Sequence, residues 1–314
     1  MRATAALGAG LFLILAFLTQ GIFFIRANAP TYDEAMHLAA GYSYLATGDF
    51  RLERQNPPLI KEFLALPLFL IHRLPFRPDP QRWRDGLDFF VGQDFLYKSP
   101  LPADAMLALS RLANLLLGGF LVALLGWWAY RLWGHRAALL GMTLASFEPN
   151  LVAHSSLVTT DIGVTLFIFL TIYLLWEYLN CRTWWSLAAA GVSLGVALVC
   201  KFSAILLIPI IVSIIALSLF AEGNSVLLLR HRPNQANHQL LDAVAVVFIL
   251  LFFASIMIPS AYFAQGFQPW FTGLYRFLTF ARDGQPAFFL GELSYLASWN
   301  YFIAAFLIMT PLGT

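Results

Sequence analysis

Residues 7–25 read LGAGLFLILAFLTQGIFFI, a run without a single charge, bracketed by Arg2 and Arg26. It is too long for the hydrophobic region of a secretory signal, which has roughly 7–15 residues. It is close to the about 20 residues that cross a bilayer as a helix. Ala27-Asn28-Ala29 imitates a signal-peptidase site, but the length of the run decides for a first transmembrane helix. The composition agrees. Of the 314 residues 60% are apolar and 11% charged, with a mean hydropathy of +0.72. A soluble domain has roughly 45–50% apolar and about 25% charged residues. The 29 Phe and 9 Trp have no dry place except a bilayer, which excludes an ordinary cytosolic enzyme. A net charge of +2 without a basic stripe excludes a nucleic-acid binder. Cys181 and Cys200 have neither CxxC nor metal-site spacing.

Residues 27–104 change character: charges and prolines concentrate there, and no stretch is long and apolar enough to span. This is the first large loop. Within it LIKEFLALPLFLI, residues 59–71, is apolar but short and interrupted by Lys61, Glu62 and Pro67. That pattern predicts an interfacial helix lying on the membrane. Further spans are expected near 106–130, 137–153, 162–180, 184–200, 203–220 and 241–262, followed by a second loop over 263–300. The fold class is therefore all-α, a polytopic membrane protein of about eight transmembrane helices. A last apolar segment runs from Tyr301 to Thr314. Its rise of about 21 Å falls short of the roughly 30 Å hydrocarbon core. The reading is of a single transmembrane domain over 1–314, truncated at its C-terminus.

Orientation follows from short-loop charge. With the N-terminus cytoplasmic, Arg2, Arg131, Arg136, Arg182, Arg230 and Arg232 lie inside, and the short outer turns carry only Lys201. Both large loops are then extracytoplasmic.

The densest chemical signal opens the first loop: Thr31-Tyr32-Asp33-Glu34, His37, Gly41-Tyr42-Ser43-Tyr44, Gly48-Asp49-Phe50 and Asn56-Pro57-Pro58-Leu59. Thr31-x-x-Glu34 has the form of a capping box, with Gly48 as the C-terminal stop. Glu34 could therefore serve only the helix start, and Asp33 only the helix dipole. Alternatively, a carboxylate near the membrane surface can act as general base toward a hydroxyl. The residues alone leave both readings open. His37 lies one turn from Asp33 on the same helix face. Asp161 opens a later span on the same outer side, and His154 shares its turn. Asp33, His37 and Asp161 could together bind a divalent cation, although their spacing identifies no metal. No other cofactor is indicated. Lys201 interrupts a nearly charge-free stretch, 184–220. An ionisable residue there is either a functional site or a snorkelling side chain. Arg51, Arg54 and Lys61 are further cations of the first loop.

An Asp-Glu pair after the first span, a Tyr-rich helix, Gly-Asp and then Pro-Pro-Leu resemble the family 39 glycosyltransferases. These are the protein O-mannosyltransferase-like, phospholipid carrier-dependent enzymes of the GT-C superfamily. The resemblance continues in Thr159-Thr160-Asp161, in Lys201-Phe202-Ser203, in Gly291-Glu292 and in Tyr301-Phe302 with Thr310-Pro311-Leu312. Where family members often carry Lys before Thr-Pro, this chain has Met309. Family members also continue past residue 314, so the resemblance implies an N-terminal fragment.

It further implies a GT-C-like fold with interfacial helices in the first loop, in an integral multi-pass protein of a bacterial plasma membrane in preference to the endoplasmic reticulum. The implied reaction moves a hexosyl or pentosyl group from a polyprenyl-phosphate carrier to an acceptor hydroxyl on a protein, lipid or glycan, with inversion. The implied catalytic residues are Asp33 and Glu34, with Lys201, Arg51 and Arg54 on the donor phosphate and Asp161, His37 and Tyr44 on substrate. The oligosaccharyltransferase branch carries Trp-Trp-Asp in a soluble domain. Here neither Trp127-Trp128 nor Trp184-Trp185 is followed by Asp. A multi-span transporter is the reading from another class. Transporters place ionisable groups near the bilayer midplane, whereas these acids cluster at the outer surface. A non-catalytic homologue is the third reading.

Overall fold

The computed structural model describes residues 3–221, 236–282, 287–289, 291–294 and 299–309. Arg2, Arg230 and Arg232 of the charge count, and Thr310-Pro311-Leu312, lie outside the described residues.

The uncharged run forms α1 (Ala3–Ala27), about 37 Å long at 1.5 Å per residue. The first loop folds into four helices: α2 (Tyr32–Thr47), α3 (Leu59–His72), α4 (Pro80–Asp85) and α5 (Asp88–Lys98). The signals expected to bound α2 do so. Glu34 accepts the Thr31 N–H at 2.8 Å, and Gly48 closes the helix at φ 68° with its N–H on Tyr44 O. α3 turns Lys61, Leu64, Ala65 and Leu68 inward and exposes Phe63, Leu66 and Leu70. An exposed apolar stripe is what an interfacial helix needs.

Then come α6 (Ala103–Trp133), α7 (His135–Ser146), α8 (Pro149–Ser155), α9 (Asp161–Cys181) and α10 (Trp184–Cys200). A 3-10 turn (Phe202–Leu206) leads into α11 (Leu207–Ala221), followed by α12 (Ala236–Ala261) and α13 (Gln268–Arg282). An antiparallel pair, β1 (Ala287–Phe289) and β2 (Glu292–Ser294), precedes α14 (Trp299–Met309). Among the described residues four helices are long and apolar enough to cross a membrane: Thr4–Ala27, Ala103–Trp133, Asp161–Cys181 and Leu240–Ala261. Trp184–Cys200 and Phe202–Ser218 are shorter apolar helices. The architecture is all-α and polytopic, as read from the sequence.

One expected span differs. Residues 137–153 are not a single helix but the end of α7 and the start of α8, broken at Phe147-Glu148. The Glu148 side chain accepts the Leu151 N–H, and Pro149 follows at the first helical position. An N-cap acceptor followed by Pro is a helix start, and it overrides the apolar continuity of the segment.

The chain divides into two compact units. The first comprises Met1–Asn56, Lys61–Ile162 and Phe271–Thr314. Its membrane part packs Phe17 of α1 with Leu115 and Val122 of α6 and Met142 of α7. Its loop part wedges α2 between α3 and α5. A Cβ on Gly41 would lie 2.0 Å from Lys61 O, and one on Gly92 would lie 2.7 Å from Ala35 O. The second unit comprises Pro57–Ile60 and Gly163–Trp270. In it α10 meets α12 through Gly191 and Gly195, where an added Cβ would strike the backbone at Leu250 and Ala254. Small residues four apart let two membrane helices approach closely.

Candidate active site

The site is built on α2. Glu34, fully buried, receives Arg111 of α6 in a two-pronged pair, with Nε on Oε1 and Nη2 on Oε2, both at 2.7 Å. Its oxygens also accept N–H bonds from Thr31 at 2.8 Å and Val158 at 2.9 Å. Arg111 spends its remaining donors on the carbonyls of Ile25, Asn28 and Ala29. Burial alone would raise the pKa of this carboxyl. The Arg111 guanidinium and the backbone donors outweigh it and hold the group below the ordinary carboxylate range. One arginine thus fastens the end of α1 and the start of α2 to α6.

Asp33, the preceding residue, points the other way and is exposed. Among the described residues no hydrogen bond or ion pair engages its carboxylate, which leaves it open to a substrate. Tyr32 stacks on Phe89 with ring centroids 4.7 Å apart, so the start of α2 lies against the start of α5.

One turn along, His37 is buried and its Nδ1 lies 3.5 Å from Glu53 Oε2. Glu53 also pairs with Lys61, which is fully buried. Lys61 Nζ donates to Glu53 O at 2.7 Å, Asn56 O at 2.8 Å and Tyr44 Oη at 3.1 Å. Tyr44 Oη in turn donates to Leu52 O. Burial opposes ionisation of Glu53, but Lys61 and His37 prevail and bring its pKa down to about 2. Lys61, read from the sequence as a further cation of the first loop beside Arg51 and Arg54, is thus enclosed by its own loop. Its ammonium is the post around which residues 52–56 fold. Tyr44 is equally enclosed, as part of the same cage.

Outside this cage lies a cavity of about 310 Å³, walled by Arg51, Glu53, Arg54, Asp88 and Arg276 among others. Arg51 is paired with Asp49 at 2.6 Å and sits 4.8 Å over the Trp83 ring. Burial and the like charge of Arg276 both lower the pKa of Arg54. Two guanidiniums that repel across a cavity are stabilised by an anion between them. Arg276 escaped the sequence reading. The signal available was an Arg in the middle of the amphipathic helix of the second loop, α13, which ends in a second one, Arg282.

The structure does not assemble Asp33, His37 and Asp161 into a cation site. His37 turns inward to Glu53, and Asp161 lies 3.9 Å from His154. No group of three metal-ligating side chains occurs among the described residues. Lys201 ends α10 in extended conformation in the second unit, its N–H on Ala197 O at 3.2 Å.

Comparison with curated proteins and with solved structures returns no match. Comparison with family profiles matches residues 92–275 to "Dolichyl-phosphate-mannose-protein mannosyltransferase". The match spans more than half the chain and includes Arg111, Asp161 and Lys201. Taken with the apolar helices, it makes this an integral, multi-pass membrane glycosyltransferase of the type that uses a lipid-linked sugar: the chain belongs to the dolichyl-phosphate-mannose-protein mannosyltransferase family.

Proposed function

We propose that the chain transfers a hexosyl or pentosyl group from a polyprenyl phosphate to a hydroxyl of a protein acceptor, with inversion, on the extracytoplasmic side of a bacterial plasma membrane. The observation that carries this is an exposed carboxylate, Asp33, unengaged among the described residues, on a helix locked by Glu34–Arg111 whose His37 meets Glu53, a wall of the cavity with three arginines. Asp33 takes the proton of the acceptor hydroxyl. The hydroxyl oxygen attacks the anomeric carbon from the face opposite the phosphate. The carbon–oxygen bond to phosphate breaks and its electron pair stays on the phosphate, where Arg51, Arg54 and Arg276 meet the developing charge. Glu34 positions Asp33 in this scheme, and Lys61, Tyr44 and His37 position the loop that carries Arg51 and Arg54. Lys201 of the second unit is the other candidate for the phosphate, and Asp161 with His154 for the acceptor.

The test is transfer from polyprenyl-phosphate mannose to an acceptor peptide in proteoliposomes. A general base contributes typically 10²–10⁴-fold. Asp33→Asn is expected to lose activity on that scale while keeping the parent's yield and elution profile; full activity would sink the role. Arg54→Gln and Lys201→Gln, compared for donor KM, separate the two phosphate candidates. For the side of the membrane, Gln81→Cys is introduced with Cys181 and Cys200 replaced by Ser. It is expected to react with a membrane-impermeant thiol reagent from the outer face, and reaction only after lysis would reverse the orientation.

A further inference from the structure

Asp88, the first residue of α5, is a wall of the arginine cavity that the scheme above leaves unused. Gly86, at φ 64°, turns the chain just before it. Its Oδ1 accepts the Phe89 N–H at 2.9 Å. Among the described residues no side chain hydrogen-bonds this carboxyl. The charged groups around it are Glu53 and Lys61 of the cage and Arg51, Arg54 and Arg276 of the cavity wall.

Three arginines can steady a negative charge, but they cannot give up a proton. The leaving group can use one. A glycosyl phosphodiester carries one negative charge, and the phosphomonoester it releases would carry two. A phosphate monoester takes a proton with a second pKa near about 6. An acid within the cavity can deliver that proton as the bond breaks.

We propose that Asp88 is this acid: it hydrogen-bonds the donor phosphate and passes its proton to it during transfer. The balance is closed. The anomeric carbon–oxygen bond breaks with its electron pair on phosphate, and a phosphate oxygen gains the Asp88 proton. The acceptor oxygen bonds the anomeric carbon, and its proton goes to Asp33. Solvent then resets both carboxyls, one losing and one gaining a proton. Burial, with the Glu53 charge nearby, raises the Asp88 pKa against the Phe89 N–H bond and the pull of Lys61, a direction that favours the acid form. After turnover, ionised Asp88 and Glu53 repel the anionic product.

This role rests on the transferase reading. Its test is the pH dependence of kcat in proteoliposomes, with polyprenyl-phosphate mannose as donor. The parent is expected to lose activity on the alkaline side as Asp88 ionises. Asp88→Asn keeps the acceptor for Phe89 N–H and the polarity of the wall but has no proton to give. It is expected to lower kcat by about 10²-fold, to leave donor KM within a few-fold and to abolish the alkaline limb. Asp88→Glu is expected to restore the limb. An active parent whose limb and kcat survive in Asp88→Asn overturns the role of Asp88 alone. So does an inactive Asp88→Asn that Asp88→Glu fails to rescue. A parent that moves no sugar from this donor overturns the transferase reading, and the role of Asp88 with it.

Discussion

Two buried ion pairs flank α2, and they do different work. Glu34–Arg111 joins groups 77 residues apart; Glu53–Lys61 joins groups eight apart. The first is a planar fork matched to a carboxylate, with every remaining guanidinium nitrogen placed on a backbone carbonyl. It fixes where a helix stands. The second is a compact ammonium inside a cage of two carbonyls, a phenol and a carboxylate. It fixes the shape of a short loop. Removing the first is therefore expected to appear as lost stability, and removing the second as lost donor binding.

The largest effect is expected at Arg111. Arg111→Met leaves Glu34 buried without its partner, which costs about 3–5 kcal/mol. Denaturant or thermal unfolding in detergent micelles measures it. Arg111→Lys is expected to recover only part of the loss, because an ammonium cannot serve both carboxylate oxygens and three carbonyls in one plane. Recovery to parent stability would reduce the fork to a simple charge contact.

At the second pair the double change Glu53→Gln with Lys61→Met removes both charges together. Replacing a whole buried pair is often close to neutral in stability. The variant is expected to stay folded and to raise donor KM by about tenfold, equivalent to roughly 1.4 kcal/mol, since residues 51–54 lose their post. A donor KM equal to the parent's would detach the cage from the arginine cavity.

Acid sharpens the contrast further. Glu34 and Glu53 both have lowered pKa values in the folded chain, Glu53 to about 2. Their contribution is complete above the ordinary value of 4.5 and is lost as pH falls toward 2. Glu62, next to Lys61, has the opposite sign. It is buried, its Oε1 has no hydrogen-bond partner among the described residues, and burial raises its pKa to about 8 against the pull of Lys61. Between pH 4.5 and 8 the folded state holds a proton there that the unfolded state has released. Stability therefore falls as pH rises through that window, by at most about 1.4 kcal/mol per unit. Glu62→Gln is expected to flatten this slope in unfolding measured from pH 5 to 8 and to leave the acid limb unchanged. An unchanged slope would place the titration elsewhere.

What the sequence made legible was local. The uncharged run of α1, the Thr31 and Gly48 bounds of α2 and the short apolar helix α3 could each be read from neighbouring residues. Glu148-Pro149 was legible too, as a helix start, but the apolar residues around it suggested continuity. Long-range partners were not legible. Nothing near Glu34 announces Arg111, although an arginine in the first turns of a membrane helix is in itself a sign of function. The enclosure of Lys61 was not legible because half of its cage is backbone carbonyls, of residues 53 and 56, which have no signature in side chains. The acidic pair could be located from the sequence, but only the packing separates Asp33, open to solvent, from Glu34, enclosed.

The reach of Arg111 also bears on how the chain is made. The last carbonyls of α1 have no partners of their own at the helix end, and three in this region wait for a residue of α6. At about 5–20 residues per second, synthesis of the intervening 77 residues takes roughly 4–15 s. Through that interval the start of α2 is without its anchor. The start of α2 is thus fixed late, when α6 has been made, and insertion of α6 becomes the checkpoint for assembling the candidate site.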